Sequence, residues 1–279
     1  MGMTRQAYYK GLACERKKSE QHATVIELVR RTRQRQPRIG TRKLHGMLEQ
    51  PLRQAGIRIG RDSLFDVLRQ AHLLVAPRRA YHRTTQSSHH FRRHPNLLKA
   101  GQEDRVVPTG CEQVWVADIT YLPTRDQIAY LSLVTDAYSR RIVGWHVHAS
   151  LQAEEVGKAM ELALRQRRTR QRLVHHSDRG VQYCSGHYQA IHERHGVTCS
   201  MTDGYDCYQN ALAERVNGIL KNEFLLRRPA NLRQATTMVR ESIAIYNRER
   251  PHNSLQNKTP DVVHRASLAA QKERKSSAA

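Results

Sequence analysis

The sequence predicts an α/β fold: a mixed five-stranded sheet flanked by helices and preceded by a helical, helix-turn-helix-like region. Three observations predict it. Between residues 111 and 268, short β-rich runs alternate with segments of helical period in the order βββαβαβαα, and such alternation builds a sheet with helices on its faces. Residues 37–76 hold two short amphipathic helices joined by a glycine-bearing link. The 279 residues leave room for one large domain or two modest ones, and 39% hydrophobic residues suffice for one real core.

In chain order, residues 1–36 read as a basic helical arm. Val25, Ile26, Leu28 and Val29 mark an amphipathic helix from Ser19 to Arg31, closed by Gln36-Pro37-Arg38-Ile39-Gly40. In 37–76, Leu44, Met47 and Leu48 keep helical spacing, and Pro51 is expected to end or bend that helix. Leu64, Val67 and Leu68 form the stripe of the second helix, with Ser63 and Asp66 as a capping box. Two such helices in basic surroundings fit a DNA-binding unit using Arg42, Lys43 and Arg61; the alternative is an ordinary helical hairpin. Residues 77–110 read as a basic linker, with Arg78 and Arg79 along DNA backbone, and 269–279 as a disordered tail.

The catalytic-core candidate, 111–268, opens with three β-rich runs, 113–122, 128–136 and 141–148, joined by short links as an antiparallel meander. A helix is expected over 154–165, a fourth strand over 173–176, a helix over 185–195 and a fifth strand over 197–201. Helices over 209–224 and 233–248 follow. No internal repeat is present.

Lys and Arg number 47 against 25 Asp and Glu, a formal charge of +22 with 16 His besides. So basic a chain attracts polyanions, and each neutralised phosphate releases counterions. No stretch has the ~18–20 apolar residues that span a bilayer, and the start shows no apolar leader; the expected location is the cytosol, with no membrane partner. Cys14, Cys111, Cys184, Cys199 and Cys207 form no CxxC pair and read as reduced thiols. His89, His90 and His94 lack nearby cysteines, which disfavours a zinc-bearing leader.

Three carboxylates stand at informative places. Asp118 lies inside an apolar strand, where an ionised group is costly unless compensated. Asp178 directly follows the fourth strand, and Glu214 lies mid-helix, with thirty-five residues between them. Asn210, Glu214, Asn217 and Lys221 recur at helical spacing on one polar face, so Lys221 can reach a phosphate near whatever Glu214 holds. Hard oxygen ligands suit Mg²⁺ or Mn²⁺, and two such ions serve phosphodiester chemistry. Taken singly, Asp118 also fits a salt bridge, Asp178 a turn and Glu214 a solvated helix face. Asp136, Asp203 and Asp206 compete; Asp136, beside Ser139-Arg140-Arg141, reads as a structural pairing.

The residues Trp115-Val116-Ala117-Asp118-Ile119-Thr120-Tyr121, Ser139-Arg140-Arg141-Ile142-Val143-Gly144-Trp145 and His176-Ser177-Asp178-Arg179-Gly180-Val181-Gln182-Tyr183 form a recognisable set. It continues with Cys207-Tyr208-Gln209-Asn210-Ala211 through Glu214 to Lys221, and with Tyr246-Asn247-Arg248-Glu249-Arg250-Pro251-His252. Together they resemble the second-frame (OrfB) DDE transposases of the two-frame bacterial insertion sequences of the IS-three type, over roughly residues 3–268. The resemblance implies a ribonuclease-H-like core shared with retroviral integrases. It also implies an Asp118, Asp178 and Glu214 triad that is both catalytic and metal-binding for two Mg²⁺ or Mn²⁺ ions, and Lys221 on the element's end. Arg179, Asn210, Asn217, Arg250 and His252 are further expected DNA contacts. Gln209 and Pro51 depart from the family pattern. Implied partners are double-stranded DNA, further copies of the chain (at least a dimer on DNA), and a first-frame (OrfA) product or fusion supplying a leading helix-turn-helix and zipper that this chain is expected to lack.

The expected function is metal-dependent cleavage and strand transfer at element ends. The same triad permits a nuclease without joining activity. Charge and residues 37–76 also permit a non-catalytic DNA-binding accessory protein, which leaves the triad unexplained. A covalent tyrosine recombinase is disfavoured, because Tyr246 reads as helix-end packing.

Overall fold

A computed structural model describes residues 4–76, 94–101, 103–203 and 210–276. The chain divides into two compact units, Met1–Arg79 and Ala80–Ala279.

The first unit has three helices: α1 (Arg5–Arg35), α2 (Thr41–Gln54) and α3 (Arg61–Gln70). Val25 and Val29 of α1 share one core with Ile39, Leu44, Leu48, Leu52, Leu64, Val67 and Leu68. The residues expected to form a separate arm are therefore the third wall of the helical unit. α1 also starts well before Ser19, at Arg5, capped by Thr4, whose hydroxyl accepts from the Ala7 amide at 3.3 Å. Its first four turns are exposed, so no apolar period announces them. Pro51 does not end α2. The helix runs on to Gln54 because buried Leu48 and Leu52 flank the proline and hold the last turn to the core. The expected capping box is absent too. α3 begins after Gly60, which places Ser63 inside the helix, and Asp66 pairs with Arg69 at 2.6 Å.

The second unit is built on one sheet with strand order β3-β2-β1-β4-β5: β1 (Val114–Pro123), β2 (Ile128–Asp136), β3 (Ile142–His148), β4 (Leu173–Ser177) and β5 (Val197–Met201). β1, β2 and β3 form the expected antiparallel meander, while β4 pairs in parallel with β1 and β5 in parallel with β4. α4 (Ala153–Gln166), the short α5 (Val181–Cys184) and α6 (Gly186–His195) cover one face, around Trp115, Ala117, Val134, Met160, Tyr188 and Ile191. α7 (Ala211–Ile219), a π-helical turn (Leu220–Phe224) and α8 (Leu232–Arg248) cover the other, around Leu131, Leu133, Val216, Leu220, Val239 and Tyr246. Alternate residues of each strand serve the two cores, as the pleat requires. α4 lies so close to β3 that a Cβ at Gly144 would meet the Ala159 carbonyl at 2.1 Å.

Two segments differ from expectation. Residues 94–101 and 103–106 lie beside the sheet edge as a strap: the Pro95 carbonyl accepts from the Met201 amide at 3.2 Å, the Leu97 amide donates to Ser200 Oγ at 2.9 Å, and Lys99 pairs with Asp203 at 2.9 Å. Leu97, Leu98 and Val106 pack against Val114, Val116 and Val174, burial that a free linker would forgo. The tail is helical as far as the end of α9 (Pro260–Ser276). Its Ser267 Oγ accepts from the Cys111 amide, and Asp261 takes Arg141 at 2.7 Å. Among the described residues, no helix is long and apolar enough to cross a membrane.

Candidate active site

β1 is the middle strand and outruns β4. Their ladder ends at Val116↔His176, and two residues further along each strand stand Asp118 and Asp178. Asp118 is half-buried, on the face of β1 toward α7. Its Oδ1 accepts from the Ile119 amide at 2.9 Å and its Oδ2 from Asn217 Nδ2 at 2.8 Å. Asp178 turns back on its own loop, where the Gly180 amide donates to Oδ1 at 3.0 Å. A Cβ on residue 180 would itself sit 3.0 Å from that oxygen, so the side chain has the space only a glycine leaves. Glu214 projects from the first turn of α7 and is exposed.

The three carboxyls feel one another. Burial pushes Asp118 up to about 7, Asp178 pushes it in the same direction, and Glu214 adds to it; Asn217 and the Ile119 amide offset part of this. Glu214 is raised by burial and by Asp178. Tyr183, buried beside them, is raised well above its usual range by burial, by Tyr188 and by the same two aspartates. Acidic groups with perturbed titration gather here, as functional sites often show. Among the described residues, no three acidic, histidine or cysteine side chains already close around a common metal position.

The polar face of α7 proves to be mostly inward. Asn210 Nδ2 donates to the Ala117 carbonyl at 2.9 Å, fixing the start of the helix to β1. Asn210 and Asn217, expected as DNA contacts, are each 4% exposed, and the Nδ2 of each donates to the strand that carries Asp118. Lys221 lies in the π-turn, its Nζ 3.1 Å from Thr120 Oγ1, two residues beyond Asp118 on the same face. Arg179, half-buried, adjoins Asp178.

Arg250 and His252 are corrected in the same way. Arg250 is 2% and His252 7% exposed, and the guanidinium forks onto Glu223 at 2.7 and 2.6 Å. An expected pair of DNA contacts is thus an internal clamp. Tyr246 is buried and donates to the Arg140 carbonyl at 3.1 Å, which makes it packing. Asp136 is a structural pairing, described below. Among the described cysteines, Cys111, Cys184 and Cys199 are buried free thiols and Cys14 an exposed one. In the helical unit Arg42 and Arg61 are exposed and Lys43 is partly so. Arg78, Arg79, His89, His90, Asp206, Cys207 and Gln209 lie outside the described residues.

Sequence reasoning missed Asn217 as a partner of Asp118, Gly180 as the space beside Asp178, and Glu223 as the anchor of Arg250. The three-residue step from Glu214 to Asn217 was a usable signal: it puts both on the helix face that meets β1.

An integrase core domain model matches residues 108–207, and a second integrase core domain model matches 195–260. An uncharacterized 31 kDa protein of insertion element IS600 from Shigella sonnei is 38% identical over 264 residues, 93% of this chain and 94% of that protein. The transposase InsF of insertion sequence IS3A from Escherichia coli K12 is 32% identical over 208 residues, covering 75% of this chain and 69% of InsF. Among solved structures, a chain of the simian T-cell lymphotropic virus intasome in complex with a PP2A regulatory subunit aligns with TM-score 0.50 and 18% identity. The alignment covers 81% of this chain and 74% of that one. That likeness concerns fold, and the fold is the ribonuclease-H-like class that the sequence resemblance implied.

Proposed function

Because this chain belongs to the IS3-type DDE transposases of bacterial insertion sequences, we propose that Asp118, Asp178 and Glu214 are its catalytic, metal-holding residues for cleaving and joining DNA at the ends of its element. The observation that carries this reading is geometric: Asp118 and Asp178 each stand two residues beyond the end of the β1–β4 ladder, and α7, which bears Glu214, is tied to Asp118 through Asn217 at 2.8 Å.

The donor set fits the implied cofactor. Its oxygens are all hard carboxylate ligands, suited to Mg²⁺ or Mn²⁺, and a divalent charge would relieve the repulsion that raises Asp118. When bound, two such ions would polarise the attacking oxygen and neutralise charge gathering on the phosphate. Asp118, Asp178 and Glu214 hold them; Asn217 fixes the rotamer of Asp118, and Gly180 that of Asp178. Lys221 takes a phosphate oxygen beside the acids, with Arg179 on the Asp178 side.

Two displacements follow at phosphorus. In the first, a water oxygen bonds to the phosphate at the element's end, and the bond to the element's 3′ oxygen breaks. That oxygen leaves as a hydroxyl. In the second, the freed 3′ oxygen bonds to a target phosphorus, its proton passes to solvent, and the target's own 3′ oxygen departs. The phosphodiester count is unchanged in the second step.

The partner is double-stranded DNA at element ends and target. Arg42, Lys43 and Arg61 of the helical unit supply backbone contacts, and the +22 charge favours the encounter. Joining two ends calls for at least two copies of the chain, and a first-frame product is the expected further partner. The working location is the bacterial cytoplasm, at the nucleoid.

The test is cleavage of an uncut terminal-repeat duplex, and strand transfer of its precut form into a target duplex, in Mg²⁺, with the chain alone and with the first-frame product supplied. Joined product is expected. Cut ends without joined product would make the chain a nuclease, and metal-independent binding without turnover would make it an accessory DNA-binding protein.

A further inference from the structure

Arg250 belongs to the motif Tyr246-Asn247-Arg248-Glu249-Arg250-Pro251-His252, which the chemistry above leaves unused. It directly follows α8, and its side chain is 3% exposed. Nε donates to Glu223 Oε2 at 2.7 Å and Nη2 to Oε1 at 2.6 Å, while Nη1 meets His252 Nε2 at 3.1 Å and the Pro251 carbonyl at 3.4 Å. The His252 ring stands edge-on to Tyr246 at 5.0 Å, and the guanidinium lies over that tyrosine at 5.9 Å. A planar donor fork enclosed in this way has its hydrogen bonds directed inward.

Its target is an unusual piece of helix. Glu223 lies in the π-turn Leu220–Phe224, closed by the Leu225 amide donating to the Leu220 carbonyl at 2.8 Å, five residues back. Such turns are rare and are frequent at functional sites. One extra residue in a turn rotates whatever follows by about 100° relative to an α-helix, so a π-turn needs an outside grip to persist. Lys221 occupies this turn, with its Nζ on Thr120 beside Asp118. One five-residue turn is therefore gripped on one flank by Arg250, and presents its lysine to the acid cluster on the other.

We propose that Arg250 and Glu223 are positioning residues for the transposition reaction. Their ion pair holds the widened turn and thereby sets Lys221 against the DNA end, without Arg250 touching DNA. The inference rests on the reading of Lys221 as a DNA contact, and its test separates the two.

The full chain is prepared as Arg250→Lys, Glu223→Gln, Lys221→Ala, and as Lys221→Ala combined with each of the others. The probe is a duplex carrying the terminal repeat that flanks the coding frame. Its binding is followed across salt concentrations, and its precut form is followed in joining. Each single variant should weaken end binding about tenfold and flatten the salt dependence by about one phosphate contact. The expected fingerprint is a raised KM for the end. Combined with Lys221→Ala, neither Arg250→Lys nor Glu223→Gln should add to the loss, because all act through one contact. If Lys221→Ala weakens binding but the losses multiply, the positioning inference fails and the Lys221 reading stands. If Lys221→Ala binds like the parent, both fail. Unchanged end binding in Glu223→Gln also overturns the inference. That substitution preserves shape, so it remains readable if Arg250→Lys does not fold.

Discussion

Asp118 and Asp136 sit three positions apart on one ladder, opposite Leu133 and Trp115, and their surroundings are opposed. Asp136 is fully buried and saturated: Oδ1 accepts from the Ser139 amide and hydroxyl, each at 2.7 Å, and Oδ2 from the Glu112 amide at 2.7 Å. Ser139 passes the network on to His264 of α9 at 2.9 Å, and the Glu112 carboxylate accepts the Arg168 and Thr169 amides. Asp118 has two donors and two neighbouring acids. A carboxylate used as a structural joint has its lone pairs filled by the protein. Asp118 is left with fewer donors and close to other acids, and burial and those neighbours together raise it.

The contrast can be broken most sharply by exchanging acid for amide at both ends. Asp118→Asn, Asp178→Asn and Glu214→Gln should each cut cleavage and joining at least about a thousandfold with DNA binding retained, read by end-labelled substrate and gel shift. Near-parental joining in Mg²⁺ by any of the three would remove it from the triad. The next effect is at Asn217→Ala, which leaves Asp118 Oδ2 without its donor. A loss of about 10–100-fold in Mn²⁺ affinity or turnover is expected, the usual range for a group that orients a metal ligand, measured by calorimetry and joining assays. Asp136→Asn should behave oppositely. It turns an amide donor toward amide donors and should lower unfolding free energy by about 1–3 kcal/mol in a urea titration, while joining per folded molecule stays at the parental rate.

The smallest effect sharpens the comparison most. The Asp118 carboxyl is held above its ordinary 3.8, at about 7. In the metal-free folded chain it keeps its proton to near neutrality, whereas the unfolded chain gives it up lower. On this group's account, stability is therefore full below 3.8, falls as pH rises between the two values, and is lowest above about 7. Asp118→Asn should flatten that decline, raising the metal-free melting temperature at pH 8 by a few degrees and hardly changing it at pH 4. A divalent ion displaces the same proton, so its affinity should climb with pH up to about 7 and then level off. A melting profile whose pH slope is unchanged by the substitution would contradict the shared field.

The strand runs were legible because half-buried strands alternate and buried ones are β-branched, and both patterns survive in one sequence. Asp118 and Asp178 stood out because acidic groups interrupt or directly follow such runs, and Glu214 through its order and spacing after them. Asn210, Asn217, Arg250 and His252 were misread for one common reason. A polar side chain near an acid cluster looks the same in sequence whether it faces solvent or a partner some thirty to a hundred positions away, as Asn217 does Asp118 and Arg250 does Glu223. The strap before β1 and α9 were hidden similarly, because much of what holds them is hydrogen bonds and ion pairs that leave no apolar period. The π-turn had no local signature: the grip on Glu223 comes from beyond α8.

The bond from Asn217 to Asp118 joins residues 99 positions apart, and Glu214 lies three residues before that asparagine. On the ribosome, the three-helix unit and all five strands are therefore made before the last acid is. A product that stops short of α7 carries two of the three carboxylates and lacks the amide that orients the first. Aborted synthesis then yields a polypeptide with the basic helices and an incomplete set of acids.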